Sequence, residues 1–270
     1  MSATTSTTST RMDHMTWEDL DARVKTGVQG GPPIVILPTG ALEQHGPHLP
    51  LGTDAMMPTM LAERVAAKID GLVAPTLSYG YKSQPKSGGG NHMPGCAALD
   101  GNTYTLMVRD LICDFARHGL TRIVLFDGHM ENQMFLTEAS DLALRMLKAE
   151  GIEGTRIVKL GYWIMIDEPL EEMLFPEGLI SWELEHAAVM ETSAMMYLAP
   201  DLVRADKIPD HPPAEFPPYD VYPFDPHSVC HSGALSSAAG ASPEKGKALV
   251  EALVPSLARQ IAGAFGMECA

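Results

Sequence analysis

Short apolar runs alternate along the chain with longer stretches of helical spacing. Pro33-Ile34-Val35-Ile36-Leu37-Pro38 is bounded by turn formers and apolar throughout, the pattern of a strand covered on both faces. Gly71 to Leu77, Arg122 to Phe126 and Arg156 to Leu160 predict three more strands. Between them lie helical patterns. Ala55 to Ile69 puts Met60, Leu61, Val65 and Ile69 on one side, and Thr103 to His118 and Asn132 to Glu150 are helices of similar kind. Thr16-Trp17-Glu18-Asp19 resembles a capping box opening a short helix that ends near Gly27. An amphipathic helix from Pro243 to Phe265 closes the chain.

Alternating strands and helices predict an α/β fold with a mainly parallel sheet and helices on both faces, a three-layer α/β/α sandwich. Ligands in such folds bind outside the carboxyl ends of the strands. Two long polar loops fall there, Thr39 to Thr53 and Ser78 to Asp100; a loop of that length inside one domain points to function or disorder. The segment Asp206 to Ser232, rich in Pro, Asp and Tyr, is expected to wrap the surface. Residues 1–11, nearly all Ser, Thr and Ala at the start, are expected to be a disordered tail. Residues 12–270 form a single catalytic domain, since 270 residues at 45% hydrophobic content suit one core.

Composition narrows the partners. A net charge of −15 repels phosphate backbones, so nucleic acid is not expected as a partner. No apolar run reaches a membrane span, and the start lacks the basic and apolar regions of a signal peptide. None of Cys96, Cys113, Cys230 and Cys269 pairs at CxxC spacing. Reduced thiols and a cytoplasmic location are expected.

Chemistry concentrates after two strands. Glu43, His45, His48 and Asp54 fall within the Gly- and Pro-spaced loop Gly40 to Asp54. In extended backbone Glu43 and His45 point to one side. Asp54 alone reads first as a helix N-cap. The second cluster is Asp127-Gly128-His129-Met130-Glu131-Asn132. A lone His after a strand is usually structural, but a Glu and a His two apart at each of two strand ends suit zinc, manganese or related ions. No Gly-x-Ser-x-Gly elbow suggests a serine nucleophile.

Glu43-Gln44-His45-Gly46 with Asp54, then Gly128-His129-x-Glu131-Asn132, resembles the creatininase (creatinine amidohydrolase) family. So do Tyr79 to Gln84, Lys86 to His92, Trp182-Glu183-Leu184-Glu185-His186, Glu191-Thr192-Ser193, and Asp210 to Val221. The likeness extends over nearly the whole chain. It implies two divalent cations per subunit, zinc or manganese: Glu43 and His129 on one, His45 and Glu131 on the other, Asp54 bridging. It implies that Ser87 hydrogen-bonds the substrate, Trp163 and Trp182 wall or gate the pocket, and His186 moves a proton at the leaving nitrogen. Glu191 is close to the family's site without a defined role. The activity implied is reversible opening of creatinine to creatine by a metal-bridging hydroxide, in a cytoplasmic homo-oligomer, a hexamer by analogy. The alternative is another lactam or a formamide.

Structural readings of the same residues stand beside these: Trp163 as core, Ser87 as a turn residue, His186 as packing on its helix. Three positions depart from the family pattern, with Met130 where it has Tyr, Glu183 where it has Asp and Asp127 where it has Asn. They bear on substrate contacts at Met130 and Glu183, and on the surroundings of the metal at Asp127.

Overall fold

In the computed structural model, residues 9–229 and 231–269 are described. Four parallel strands form one sheet in the order β2-β1-β3-β4: β1 (Ile34–Thr39), β2 (Leu72–Val73), β3 (Arg122–Asp127) and β4 (Arg156–Gly161). Alternate residues of β1 and β3 feed opposite faces. Ile34, Ile36, Val124 and Phe126 enter one core with the helices α2 (Thr53–Ile69), α7 (Val189–Leu198) and α8 (Pro243–Ala264). Val35, Leu37, Ile123 and Leu125 enter the other with α4 (Gly101–Arg117) and α5 (Gln133–Ala149). Burial on both faces explains the unbroken apolar runs, and the α/β/α reading holds.

The predicted strand Gly71 to Leu77 is cut to two residues. Pro75 has no N–H to give the ladder, and pairing resumes only as an isolated bridge between Thr39 and Leu77. Helix α1 (Trp17–Thr26) carries the predicted capping box, with Thr16 and Asp19 bonded reciprocally. Two short helices were not foreseen. α3 (Pro85–Gly88) is one turn in the middle of the loop 78–100, and α6 (Glu168–Leu174) starts at a proline, with Asp167 accepting from the Leu170 N–H. Among its described residues the Asp206–Ser232 segment holds two 3-10 turns and is mostly exposed, as expected for a wrap. Of the predicted tail, residues 1–8 lie outside the described residues. Thr10 and Arg11 are ordered against β2, with the Thr10 carbonyl accepting from the Val73 N–H and Arg11 reaching Glu63 at 3.1 Å. Order therefore begins before residue 12. Cys96, Cys113 and Cys269 are free thiols, and Cys230 falls outside the described residues. No helix among the described residues is long and apolar enough to cross a membrane.

The register sets up the site. Thr39 pairs with Asp127, and Asp127 with Gly161, so β1, β3 and β4 end level. The chain then turns away on each side, leaving the mouth described next. The turn after β3 runs hard against the start of α2: a Cβ on Gly128 would sit 2.3 Å from the Asp54 carbonyl oxygen. Glycine there lets the two ligand-bearing segments close together.

Candidate metal centre

Asp54 sits one residue into α2, whose N-cap is Gly52 and makes no side-chain cap bond. Its carboxylate is 3% exposed and aimed inward, between two imidazoles. His45 Nε2 lies 2.8 Å from Asp54 Oδ1, and His129 Nδ1 lies 3.0 Å from Asp54 Oδ2. Asp54 therefore does not serve as the helix cap and stands between the two imidazoles. Glu43 Oε2 is 3.1 Å and Glu131 Oε2 3.5 Å from His129 Nδ1. On the far side, Glu191 Oε2 is 3.8 Å from His45 Nε2.

The outer ring nitrogens fix which inner ones are bare. His45 Nδ1 lies 3.2 Å from the Glu43 carbonyl oxygen, and His129 Nε2 lies 3.0 Å from that of Tyr81. A carbonyl only accepts, so each of these nitrogens carries the proton. The inner nitrogens, His45 Nε2 and His129 Nδ1, then present lone pairs to carboxylate oxygens. Glu43 Oε1, His45 Nε2 and Asp54 Oδ2 are buried without an aligned hydrogen bond. Lone pairs facing lone pairs in a buried site repel unless positive charge sits between them. Two ligand triads share Asp54: Glu43, Asp54 and His129, and His45, Asp54 and Glu191. Oxygen and imidazole donors of this kind fit zinc or manganese.

The electrostatics say the same. Burial pushes Glu43 up to about 8 and Glu191 up to about 7. Burial would lower His45, but the Asp54 and Glu191 carboxylates outweigh it and raise it to about 10. His129 is likewise raised against burial, by Glu131 and Glu43. Asp54 would be raised by burial, yet the imidazoles beside it hold it well below the usual carboxylate range. Without a cation, this cluster collects protons; a divalent ion would release them.

The expected pairing of His45 with Glu131 is not what the fold brings together. Glu131 Oε1 accepts from Ser87 Oγ at 2.6 Å and from the Gln84 N–H at 3.0 Å. Those bonds hold it on the His129 side, and Glu191, reaching in from the third residue of α7, takes the place beside His45. Glu191 Oε2 also accepts from the Ala187 N–H. The family resemblance had placed Glu191 close to the site without giving it a role.

The cluster floors a small cleft of about 50 Å³, walled by Met130, Tyr162, Trp163, Trp182, Glu185 and His186. Trp163 and Trp182 are half-buried. They pack on the core, Trp163 edge-on to Tyr162 and Trp182 edge-on to Phe175, and also face the cleft. Core and wall are thus one role. Glu183 is corrected: it is exposed and does not line the cleft. A turn from Trp182 to Glu185, closed by the Glu185 N–H on the Trp182 carbonyl, sends Glu183 outward and Glu185 in. Glu185 and Tyr162 are wall residues that sequence reasoning did not single out.

His186 is buried against His45, ring centroids 4.5 Å apart. Gln44 Nε2 spends both protons on the carbonyls of Gly88 (2.8 Å) and Gly233 (2.9 Å). His186 Nε2 therefore carries its own proton and donates it to the Gln44 carbonyl at 2.9 Å. Nδ1 is the bare nitrogen. Burial, with His45 nearby, holds His186 well below its ordinary pKa, so the ring is neutral.

A family model described as creatinine amidohydrolase matches residues 13–261. The chain belongs to the creatininase family. It is similar to a creatinine amidohydrolase of Pseudomonas putida, 49% identical over 252 residues, covering 93% of this chain and 95% of that one. A solved mutant creatininase complexed with creatine superposes with a TM-score of 0.92 at 47% identity, covering 96% of this chain and 99% of the other. A manganese form of creatininase gives the same TM-score and coverage at 48% identity.

Against this creatininase background, Asp127 is the departure whose surroundings are best defined. It is fully buried and accepts from Thr39 Oγ1 (2.7 Å), Asn132 Nδ2 (3.0 Å), Gln133 Nε2 (2.6 Å) and the His129 N–H (3.3 Å). It ties the turn that carries His129 to the end of β1. Burial raises it from 3.8 to about 6. A raised carboxyl stabilises the fold fully below its unfolded pKa, and that contribution is lost as pH rises through the folded value. Above pH 6 the buried charge costs stability. Asp127→Asn in metal-free protein is therefore expected to gain on the order of 2 kcal/mol at pH 8 and to lose that gain towards pH 4. Urea unfolding at the two pH values checks it; equal stabilities at both would show that Asp127 is not so perturbed.

Gly88 gives a second expectation. A Cβ there would lie 2.0 Å from Glu43 Oε1 and 2.5 Å from Ser83 Oγ. Gly88→Ala is expected to push the Glu43 carboxylate off its position and weaken metal retention by about tenfold or more. Metal analysis after dialysis against a chelator reads the effect, and unchanged retention would place Glu43 outside the metal's reach.

Proposed function

We propose that the chain hydrolyses creatinine to creatine, reversibly, with two divalent cations, zinc or manganese, held by Glu43, Asp54, His129 and Glu131 on one side and His45, Asp54 and Glu191 on the other. The observation that carries this is a buried cluster of three carboxylates, Glu43, Asp54 and Glu191, around the inward nitrogens of His45 and His129, with Glu131 3.5 Å from His129 at its edge, in a chain 49% identical to a creatinine amidohydrolase over nearly its whole length. When bound, such ions lower the pKa of water from ~15.7 towards ~7 and polarise a carbonyl.

The protein's own groups supply the rest. The ring amide C–N bond breaks, water's oxygen becomes part of the creatine carboxylate, and the departing ring nitrogen gains a proton. His186, neutral with Nδ1 bare, takes a proton from the attacking water and returns it to that nitrogen. Trp163 and Trp182 wall the cleft and hold a flat small ring while excluding bulk water. Ser87 gives its hydroxyl proton to Glu131, so towards substrate its oxygen acts as an acceptor for a creatinine N–H. Met130 at the cleft offers apolar contact and no hydroxyl. That one side chain favours the second reading, a different lactam or a formamide.

Turnover on a panel of creatinine, other five- and six-membered lactams and N-formyl amides separates the two. Creatinine is expected to have the highest kcat/KM; a tenfold preference for another ring would move the assignment there. The proposal includes a cytoplasmic homo-oligomer, a hexamer by family likeness. Tyr219, Val221 and Tyr222, exposed by 64%, 62% and 78% on the Pro-rich wrap, support self-association, and light scattering of purified protein measures it.

A further inference from the structure

Helix α3 is a single turn, Pro85–Gly88, with no side-chain cap. One turn is too short to persist on its own propensity, so its place is set by what holds it. From inside, Ser83 Oγ and Gln44 Nε2 both donate to the Gly88 carbonyl at 2.8 Å. From outside, Lys86 reaches across to the wrapping segment. Its Nζ donates to the carbonyls of Pro217 and Tyr219, each at 2.8 Å, and lies 2.9 Å from Asp220 Oδ1. Those three acceptors use all three ammonium protons. An exposed lysine paired with one carboxylate contributes little. A lysine with three fixed acceptors, two of them main-chain, sets the position of the backbone around it.

The next residue in the turn is Ser87. Its hydroxyl and the Gln84 N–H, just before the turn, are the two donors on Glu131 Oε1. The other oxygen of Glu131 faces His129. The path from the wrapping segment to the metal cluster is thus three links long: Pro217 to Asp220, Lys86, then Ser87 and Gln84 on Glu131.

We propose that Lys86 is a positioning residue for Glu131, acting through the one-turn helix Pro85–Gly88 that it anchors to the 217–220 segment. The inference rests on the reading of Glu131 as a cation ligand. Lys86 touches neither the cleft nor any ligand, so its loss acts on metal retention and turnover rate, not on substrate affinity. Residues that hold a metal ligand in place are worth about ten- to a hundredfold in affinity when removed.

The test is a double-mutant cycle on purified full-length protein, with Mn2+ affinity measured by competition against a chelator. Lys86→Met is expected to weaken one of the two ions by about tenfold, to lower kcat by at least about fivefold and to leave KM within about twofold. Lys86→Arg, which keeps the charge and donors, is expected to restore most of the affinity. On a Glu131→Ala background Lys86→Met is expected to have no further effect on either ion. The milder Asp220→Asn, which removes one acceptor at the surface, moves in the same direction and serves if Lys86→Met does not fold. Two results overturn the proposal: Mn2+ affinity within twofold of the unaltered protein in Lys86→Met, or an equal loss with and without Glu131. If instead Glu131→Ala itself keeps both ions, the ligand reading of Glu131 fails, separately from the Lys86 coupling.

Discussion

Asp54→Ala is expected to bind neither cation tightly and to lose creatinine turnover by about 10^4-fold or more while keeping its fold. Asp54 is the one carboxylate within 3.0 Å of both imidazoles, with one oxygen turned to each. Two of the three candidate triads, Glu43-Asp54-His129 and His45-Asp54-Glu191, contain it. Its removal takes a ligand from each ion, and loss of the ions leaves Glu43 and Glu191 without compensating positive charge in a buried site. The acceleration supplied by such ions is worth several kcal/mol, and ~5 kcal/mol is about 10^4 in rate. The fold is expected to survive because α2 is not capped by Asp54 and is packed through Met57, Leu61, Val65 and Ile69. Metal analysis beside circular dichroism and turnover checks the prediction. Two retained equivalents would remove Asp54 from the bridging position.

The second large effect decides which carboxylate shares an ion with His45. Glu131→Ala and Glu191→Ala are each expected to retain about one ion and to cut turnover by about a hundredfold or more. Their partners differ. If His45 and Glu191 hold one ion, the pair His45→Ala with Glu191→Ala is expected to be little worse than either single change, because the same ion is lost in each. His45→Ala with Glu131→Ala is then expected to lose both ions, with nearly additive costs. The reverse pattern would restore the pairing of His45 with Glu131 suggested by sequence likeness. The distances favour the first outcome: Glu191 lies 3.8 Å from His45 Nε2, whereas Glu131 is bonded to Ser87 and Gln84 beside His129.

The fold was legible because strands covered on both faces are apolar, as Ile34 to Leu37 of β1 and Ile123 to Phe126 of β3 are, while the edge strand β4 is only partly buried and carries Arg156 and Lys159. β2 was read too long because Pro75 interrupts its ladder after Val73, a local effect inside an otherwise strand-like run. The cluster was half legible. Glu43, His45, His129 and Glu131 follow strand ends directly, where the topology of a parallel sheet brings loops together. Asp54 was ambiguous because the same position near a helix start explains a carboxylate equally well. Glu191 was not assignable, since its distance in sequence from β1 and β3 hides that α7 points it at His45. Glu183 was misjudged for a related reason: a turn at Trp182 to Glu185 reverses which neighbour faces the cleft, and nothing in the residue order announces it. The tautomer of His186 became readable only from the donors of Gln44.

The most direct measurement is creatinine turnover by protein stripped with a chelator and titrated with Mn2+ or Zn2+. Turnover near background in the stripped protein, rising to a plateau at two equivalents per chain, is the expected result. Full creatinine turnover at less than about a tenth of an equivalent of bound metal would contradict the account, because His186, held well below its ordinary pKa, is too weak a base to activate water unaided.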